Sequence, residues 1–138
     1  MRICVIDGQG GGFGGVIIKA IRAVWGDGVE VVALGTNAVA TAQMMKARAN
    51  RGASGENAIC YSLSRADVIV GSLSIILANA MMGEVTPRIA ETVATSPAPK
   101  VLLPLTQEPV EVVGVVSEPL PHLVERLIGR LKEIIGNV

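Results

Sequence analysis

Glycine fills six of the eight positions from residue 8 to residue 15, directly behind a short apolar run at residues 2–6 that closes on Asp7. Such a run reads as a β-strand covered on both faces. Residues 16–25 then read as a helix, with Ile17, Ile21 and Val24 on one face and Lys19 and Arg22 on another. A strand, a loop almost without side chains and a helix make the opening of a βα unit. The free N–H groups of the helix start face whatever the glycines allow to approach.

The rest of the chain keeps that rhythm. Further strands are expected at residues 29–34, 57–61, 67–70 and 101–105. Helices are expected over residues 37–49, 73–82, 86–95 and 121–135. Thr36 or Asn37 caps the second helix, and Thr86 followed by Pro87 opens a later one. The last helix carries the clearest stripe, Leu123, Val124, Leu127, Ile128, Leu131, Ile134 and Ile135. Residues 50–56 read as a polar loop. The expected architecture is a three-layer, Rossmann-like, doubly wound α/β domain over residues 1–138, with the parallel order 3-2-1-4-5. A sixth, antiparallel strand is expected at residues 110–116, because the link from Leu105 is too short for a crossover. Two helical segments in a row before the fifth strand leave open which end of the sheet Glu84 and Thr86 occupy.

Composition narrows the class. With 12 basic and 12 acidic residues the net charge is zero, which argues against nucleic acid as a partner. The longest uncharged stretch, residues 68–83, has 16 residues and is too short to span a bilayer, and no signal peptide is visible. Cys4 and Cys60 lie in apolar runs without metal-ligand spacing, as expected of reduced thiols in a cytoplasmic protein. In the expected strand order their backbones stand about 9–10 Å apart, beyond disulfide reach. Charged residues make up 17% of the chain, against roughly 25% for globular proteins. Together with the all-round apolar segment 73–82 and the alanine-rich helix at 37–49, this predicts a homo-oligomer. Met81, Met82 and parts of the alanine-rich helix are expected in its interface.

The glycine loop is the strongest chemical signal. Gly10, Gly12 and Gly15 match G-x-G-x-x-G, and Gly8, Gly12 and Gly14 match G-x-x-x-G-x-G. In the second register the loop resembles the short-chain dehydrogenase/reductase fingerprint. The resemblance stops there, because Tyr61 is followed four residues later by Arg65 and not by lysine. The end of the second strand reads Leu34, Gly35, Thr36, Asn37, with no acid for an adenosine ribose. A P-loop ending is absent, and Gly52, Ala53, Ser54, Gly55 falls short of a nucleophile elbow. Topology adds a second cluster at the carboxyl ends of the strands: Asp7 and Gln9, Thr36 and Asn37, Ser72 and Ser74, and Thr106. Capping accounts for Thr36, Asn37 and Ser72. Asp7 either satisfies the helix N–H groups or meets a ligand hydroxyl or metal. His122, the only histidine, is expected at the surface, at the end of the sheet opposite the loop.

As a set, IDGQGGGFG (6–14), ALGTNA (33–38), RGASGENAI (51–59), ADVIVG (66–71), LANAMMGEVTP (77–87) and EPLPHL (118–123) are similar to an uncharacterised family of small bacterial Rossmann-like domains of unknown function. That resemblance implies the fold and supplies no mechanism, catalytic residue or substrate. The leading expectation is a ligand-binding module for a nucleotide or another phosphorylated small molecule. Its site residues are Asp7, Gly8, Gln9, Gly10, Gly11, Gly12, Phe13, Gly14, Thr36, Asn37 and Ser72, with no metal. A nucleotide or dinucleotide is the cofactor class considered, its identity left open. Two other readings stay open: a non-catalytic oligomeric scaffold or regulatory protein, and a small reductase-like enzyme using NAD(P).

Overall fold

A computed structural model describes residues 1–136. Five strands, β1 (Arg2–Asp7), β2 (Glu30–Gly35), β3 (Arg51–Ser54), β4 (Val68–Ser72) and β5 (Lys100–Leu103), form one sheet in the order β3-β2-β1-β4-β5. Every pairing is parallel. Five α-helices connect or follow them: α1 (Gly12–Trp25), α2 (Ala38–Lys46), α3 (Glu56–Ser62), α4 (Pro87–Thr95) and α5 (Leu120–Ile135).

Alternation along the strands divides the core in two. Ile3, Val5, Val31, Ala33, Val68 and Val70 meet α1, α2 and α5 through Ile17, Ile18, Ile21, Met44, Leu127 and Leu131. Cys4, Ile6, Val32, Leu34 and Ile69 face the other way, onto α3 and α4 through Ile59, Ile89 and Val93. Strands buried on both faces read as unbroken apolar runs, which is why β1, β2 and β4 are visible in the sequence.

Four expectations need correction. The sixth, antiparallel strand does not form: residues 110–116 make no ladder, and Gly114 turns the chain at φ 90°. Valine-rich sequence suits a strand, but Pro109 and this turn leave it unpaired. The third strand is Arg51–Ser54 and not residues 57–61, which are α3. As an edge strand β3 is mostly exposed and lacks the apolar signature of its neighbours. Cys60 therefore lies on a helix, and both cysteines are free thiols, with Cys4 fully buried.

Residues 73–82 are not one helix. A 3-10 turn at Leu73–Ile76 gives way to a loop in which Asn79, Met81, Met82 and Gly83 take positive φ. The loop is closed on itself by Asn79 N–H to Val85 O at 2.6 Å and Val85 N–H to Ala80 O at 3.1 Å. Arg22 is buried and not on a polar face. It donates to the carbonyls of Arg48, Gly26 and Val29 and to Asn50 Oδ1, which uses four of the five N–H donors of the guanidinium. Among the described residues no helix is long and apolar enough to cross a membrane.

Candidate functional site

Five parallel strands bring their carboxyl ends to one edge, and β1 and β4 are neighbours whose following loops part in opposite directions. That is the topological switch point where open α/β sheets take ligands. Asp7 ends β1 there. Its Oδ1 accepts Gly8 N–H at 2.8 Å and its Oδ2 accepts Gly14 N–H at 2.6 Å, so the side chain caps α1 from the strand side. Burial pushes the Asp7 carboxyl above its usual range. The N–H groups of Gly14, Gly8 and Phe13 oppose that rise, and the charge of Glu84 adds to it.

Asn37 is the N-cap of α2, its Oδ1 accepting Ala40 N–H at 2.8 Å. Its amide donates to Gln9 O and to Glu84 Oε1. The same Glu84 oxygen accepts Thr36 Oγ1–H at 2.6 Å and Gln9 N–H at 2.8 Å. Glu84 thus ties the glycine loop, the β2–α2 turn and the 77–86 loop together. The hydrogen bond from Thr36 is the main reason its carboxyl lies below the ordinary range, partly opposed by burial and helped by Gln9 and Asn37. Sequence reading left Glu84 unplaced. The parallel direction of β5 brings the whole loop after β4 to this edge, where Glu84 stands beside Thr36 and Asn37 at the end of β2.

The glycines of the loop fall into two sets. Gly11 sits at φ 73°, and a Cβ there would stand 2.7 Å from Ala40 O and 2.9 Å from Ala40 Cα. A Cβ at Gly14 would stand 2.5 Å from Sδ of fully buried Met44, and one at Gly8 would stand 2.6 Å from both Met81 Sδ and Thr36 Oγ1. By contrast, a Cβ at Gly10 or Gly12 would meet nothing within 4 Å, and one at Gly15 only Gln43 O at 3.8 Å. These three line an open groove of about 370 Å³ between α1 and α2, together with Lys19 and Lys46. Neither lysine makes an ion pair among the described residues.

On the other side of the loop lies a cavity of about 250 Å³, walled by Gln9 and Phe13, by Ser72 and Ser74 after β4, by Met81, and by residues 105–108. Ser74 and Thr106 share a hydrogen bond at 2.7 Å, and Thr106 Oγ1 also accepts Glu108 N–H at 3.2 Å. Ser72 stands at the N-cap position of the 3-10 turn but makes no capping bond. Although only 3% exposed, it has no side-chain hydrogen bond among the described residues, and its hydroxyl opens on the cavity.

Of the residues expected at the site, Asp7, Gly8, Gln9, Gly10, Gly11, Gly12, Phe13, Gly14, Thr36, Asn37 and Ser72 all gather at this edge. Thr36 and Asn37 are engaged by Glu84, and Ser72 is not consumed by capping. His122 lies in the first exposed turn of α5. Without a sixth strand, that turn stands at the same end as the loop, since adjacent Leu123 shares a cavity wall with Leu73 and Thr106.

Fold and switch-point site define a Rossmann-like α/β protein. The chain belongs to the family described as a domain of unknown function (DUF3842), whose model matches residues 2–136. Among solved structures it is similar to a dodecameric FMN-dependent UbiX-like decarboxylase from Escherichia coli O157:H7. That protein is 16% identical, with 99% of this chain and 94% of that chain covered and a TM-score of 0.51, a likeness of fold. No curated protein matches the sequence.

Proposed function

We propose that this chain is a ligand-binding module for a nucleotide or another phosphorylated small molecule, whose phosphate seats against the outer face of the glycine loop. One observation carries the reading. Gly10 and Gly12 are glycine where neither the packing nor the φ angle of the chain demands it. Gly12 is the first residue of α1, where glycine brings the helix no gain in propensity over alanine. Bare backbone in such a place lets another molecule come closer than a Cβ would permit. Lys19 and Lys46 add positive charge to the same groove, and the helix start adds its own dipole.

In this reading Asp7, Gly8, Gly11, Gly14, Thr36 and Asn37 hold the loop in shape, while Gln9, Phe13 and Ser72 face the adjoining cavity. The similar solved protein is FMN-dependent, which makes FMN the first compound to try. We assign no reaction. Self-association is part of the proposal. Val113 and Val116 are 99% and 74% exposed on the unpaired 110–116 segment, and the similar solved protein is dodecameric. The apolar surface offered to a second copy includes this segment, exposed Met82 and, on α2, exposed Val39, while Ile75 and Ala80 are buried within the chain.

Calorimetric titration with FMN, AMP, ribose 5-phosphate and inorganic phosphate tests the site. A hundredfold excess over Kd should stabilise the protein by about 2.7 kcal/mol. Gly12→Ala should fold normally and lose at least tenfold in affinity. Unchanged affinity in that variant, or no binding of any phosphate compound, overturns the reading and favours a scaffold whose loop only packs. Light scattering that gives a monomer of 14.3 kDa at micromolar concentration ends the argument for self-association.

A further inference from the structure

We propose that the cavity on the inner side of the loop seats an uncharged heteroaromatic ring carried by the same ligand, with a hydrogen-bonding edge of the ring on Ser72. The inference rests on the phosphate reading above and adds the chemical class of the group beyond the phosphate. Its first support is the Ser72 hydroxyl. A serine hydroxyl has one donor and two acceptor sites, and buried polar groups in native proteins nearly always find partners. Ser74 and Thr106 satisfy each other across the cavity wall, whereas Ser72 has no side-chain partner among the described residues and faces the open volume. Its oxygen is open to the cavity, so its partner is whatever fills that volume, water or a ligand group that displaces it.

The second support is charge. No lysine, arginine or histidine lines this cavity, and Glu108 does. A phosphate or carboxylate is therefore disfavoured here, while Lys19 and Lys46 favour one in the groove across the loop. Shape and polarity supply the third. Phe13, Met81 and Leu105 form an apolar wall that a ring face covers and that a small hydrated ion would leave exposed. At about 250 Å³ the cavity lies below the roughly 300–1,000 Å³ of pockets that enclose a whole drug-sized ligand, so it takes one ring system and not an entire nucleotide. Gln9 and Phe13 line the cavity while Gly10 and Gly12 line the groove, so one ligand can straddle the loop between them.

The test compares FMN and AMP, which carry a ring, with ribose 5-phosphate, which does not, by titration calorimetry on the full chain and on Ser72→Ala. FMN or AMP should bind at least tenfold more tightly than ribose 5-phosphate. Ser72→Ala should weaken the ring compound about three- to tenfold and leave ribose 5-phosphate unchanged, as expected for one net hydrogen bond. Ser72→Cys, close in volume and a weaker hydrogen-bonding group, serves as the second variant should the alanine change not fold. If all three compounds bind alike and Ser72→Ala alters none, the ring inference is wrong and the phosphate reading survives. If no phosphate compound binds, the phosphate reading fails, and riboflavin and adenosine decide the ring site. Binding of either that Ser72→Ala weakens supports it, and no binding of either overturns it.

Discussion

The inner and outer faces of one loop place opposite demands on the same amino acid. Gly8, Gly11 and Gly14 face inward, against Thr36, Ala40 and Met44, where a Cβ has no room. Gly10, Gly12 and Gly15 face outward over a groove, where a Cβ would meet ordinary contact or nothing. Composition treats all six alike. A glycine that fits its neighbours tightly is explained by the fold, and one in open space needs an explanation outside it.

Substitution series can break that comparison. The largest effect is expected at Gly11→Ala. Left-handed backbone costs an alanine about 1–2 kcal/mol, and forcing the Ala40 backbone aside adds a similar amount. A loss of about 3 kcal/mol should appear in the urea midpoint at unchanged slope. Gly14→Ala should lose about 2 kcal/mol, because buried Met44 must move. If either variant is as stable as the parent, the inner set is not structural.

Next comes the brace behind the loop. Glu84→Ala removes an acceptor shared by Thr36, Asn37 and Gln9, and should cost about 1–2 kcal/mol. The pH dependence follows from the sign of each shift. Glu84 has its pKa lowered by folding, so the stability it contributes is present above its ordinary 4.5 and fades as pH falls through the lower folded value. Asp7 has its pKa raised, so its contribution is present below the ordinary 3.8 and is lost as pH rises through the folded value. The stability gap between the parent and Glu84→Gln should therefore narrow as the solution is acidified below about pH 4.5, and a constant gap would count against the brace.

The smallest changes belong to the outer set. Gly10→Ala should stay within about 0.5 kcal/mol of the parent. Gly12→Ala should gain up to about 0.5 kcal/mol from better helix propensity at the first turn. A loss above 1 kcal/mol at either position would show that the groove face is also needed for folding, and the contrast between the two sets would disappear.

Much of the frame was legible in the residues. The apolar runs of β1, β2 and β4, the stripe of α5 and the Thr86–Pro87 start of α4 carry their physics locally, in period and in capping chemistry. The 57–61 segment misled because its apolar residues serve a helix, and Ile59 is its one fully buried side chain. Residues 110–116 misled because β-branched residues suit a strand only where a neighbour offers a ladder. Arg22 looked solvent-facing because no sequence pattern announces the three carbonyls and one amide that surround it.

By itself, then, the sequence determined that a glycine loop would join a buried strand to a helix, that Asp7 would stand at the joint, and that polar residues would gather at the carboxyl ends of parallel strands. These follow from neighbours in the chain, where spacing sets direction and backbone geometry sets what fits. Only the tertiary structure decided which glycines are packed and which are open, that Glu84 would reach Gln9 from 75 residues away, and that Ser72 would be left without a partner. Those outcomes depend on contacts between segments far apart in the chain, and neither periodicity nor propensity encodes such distances.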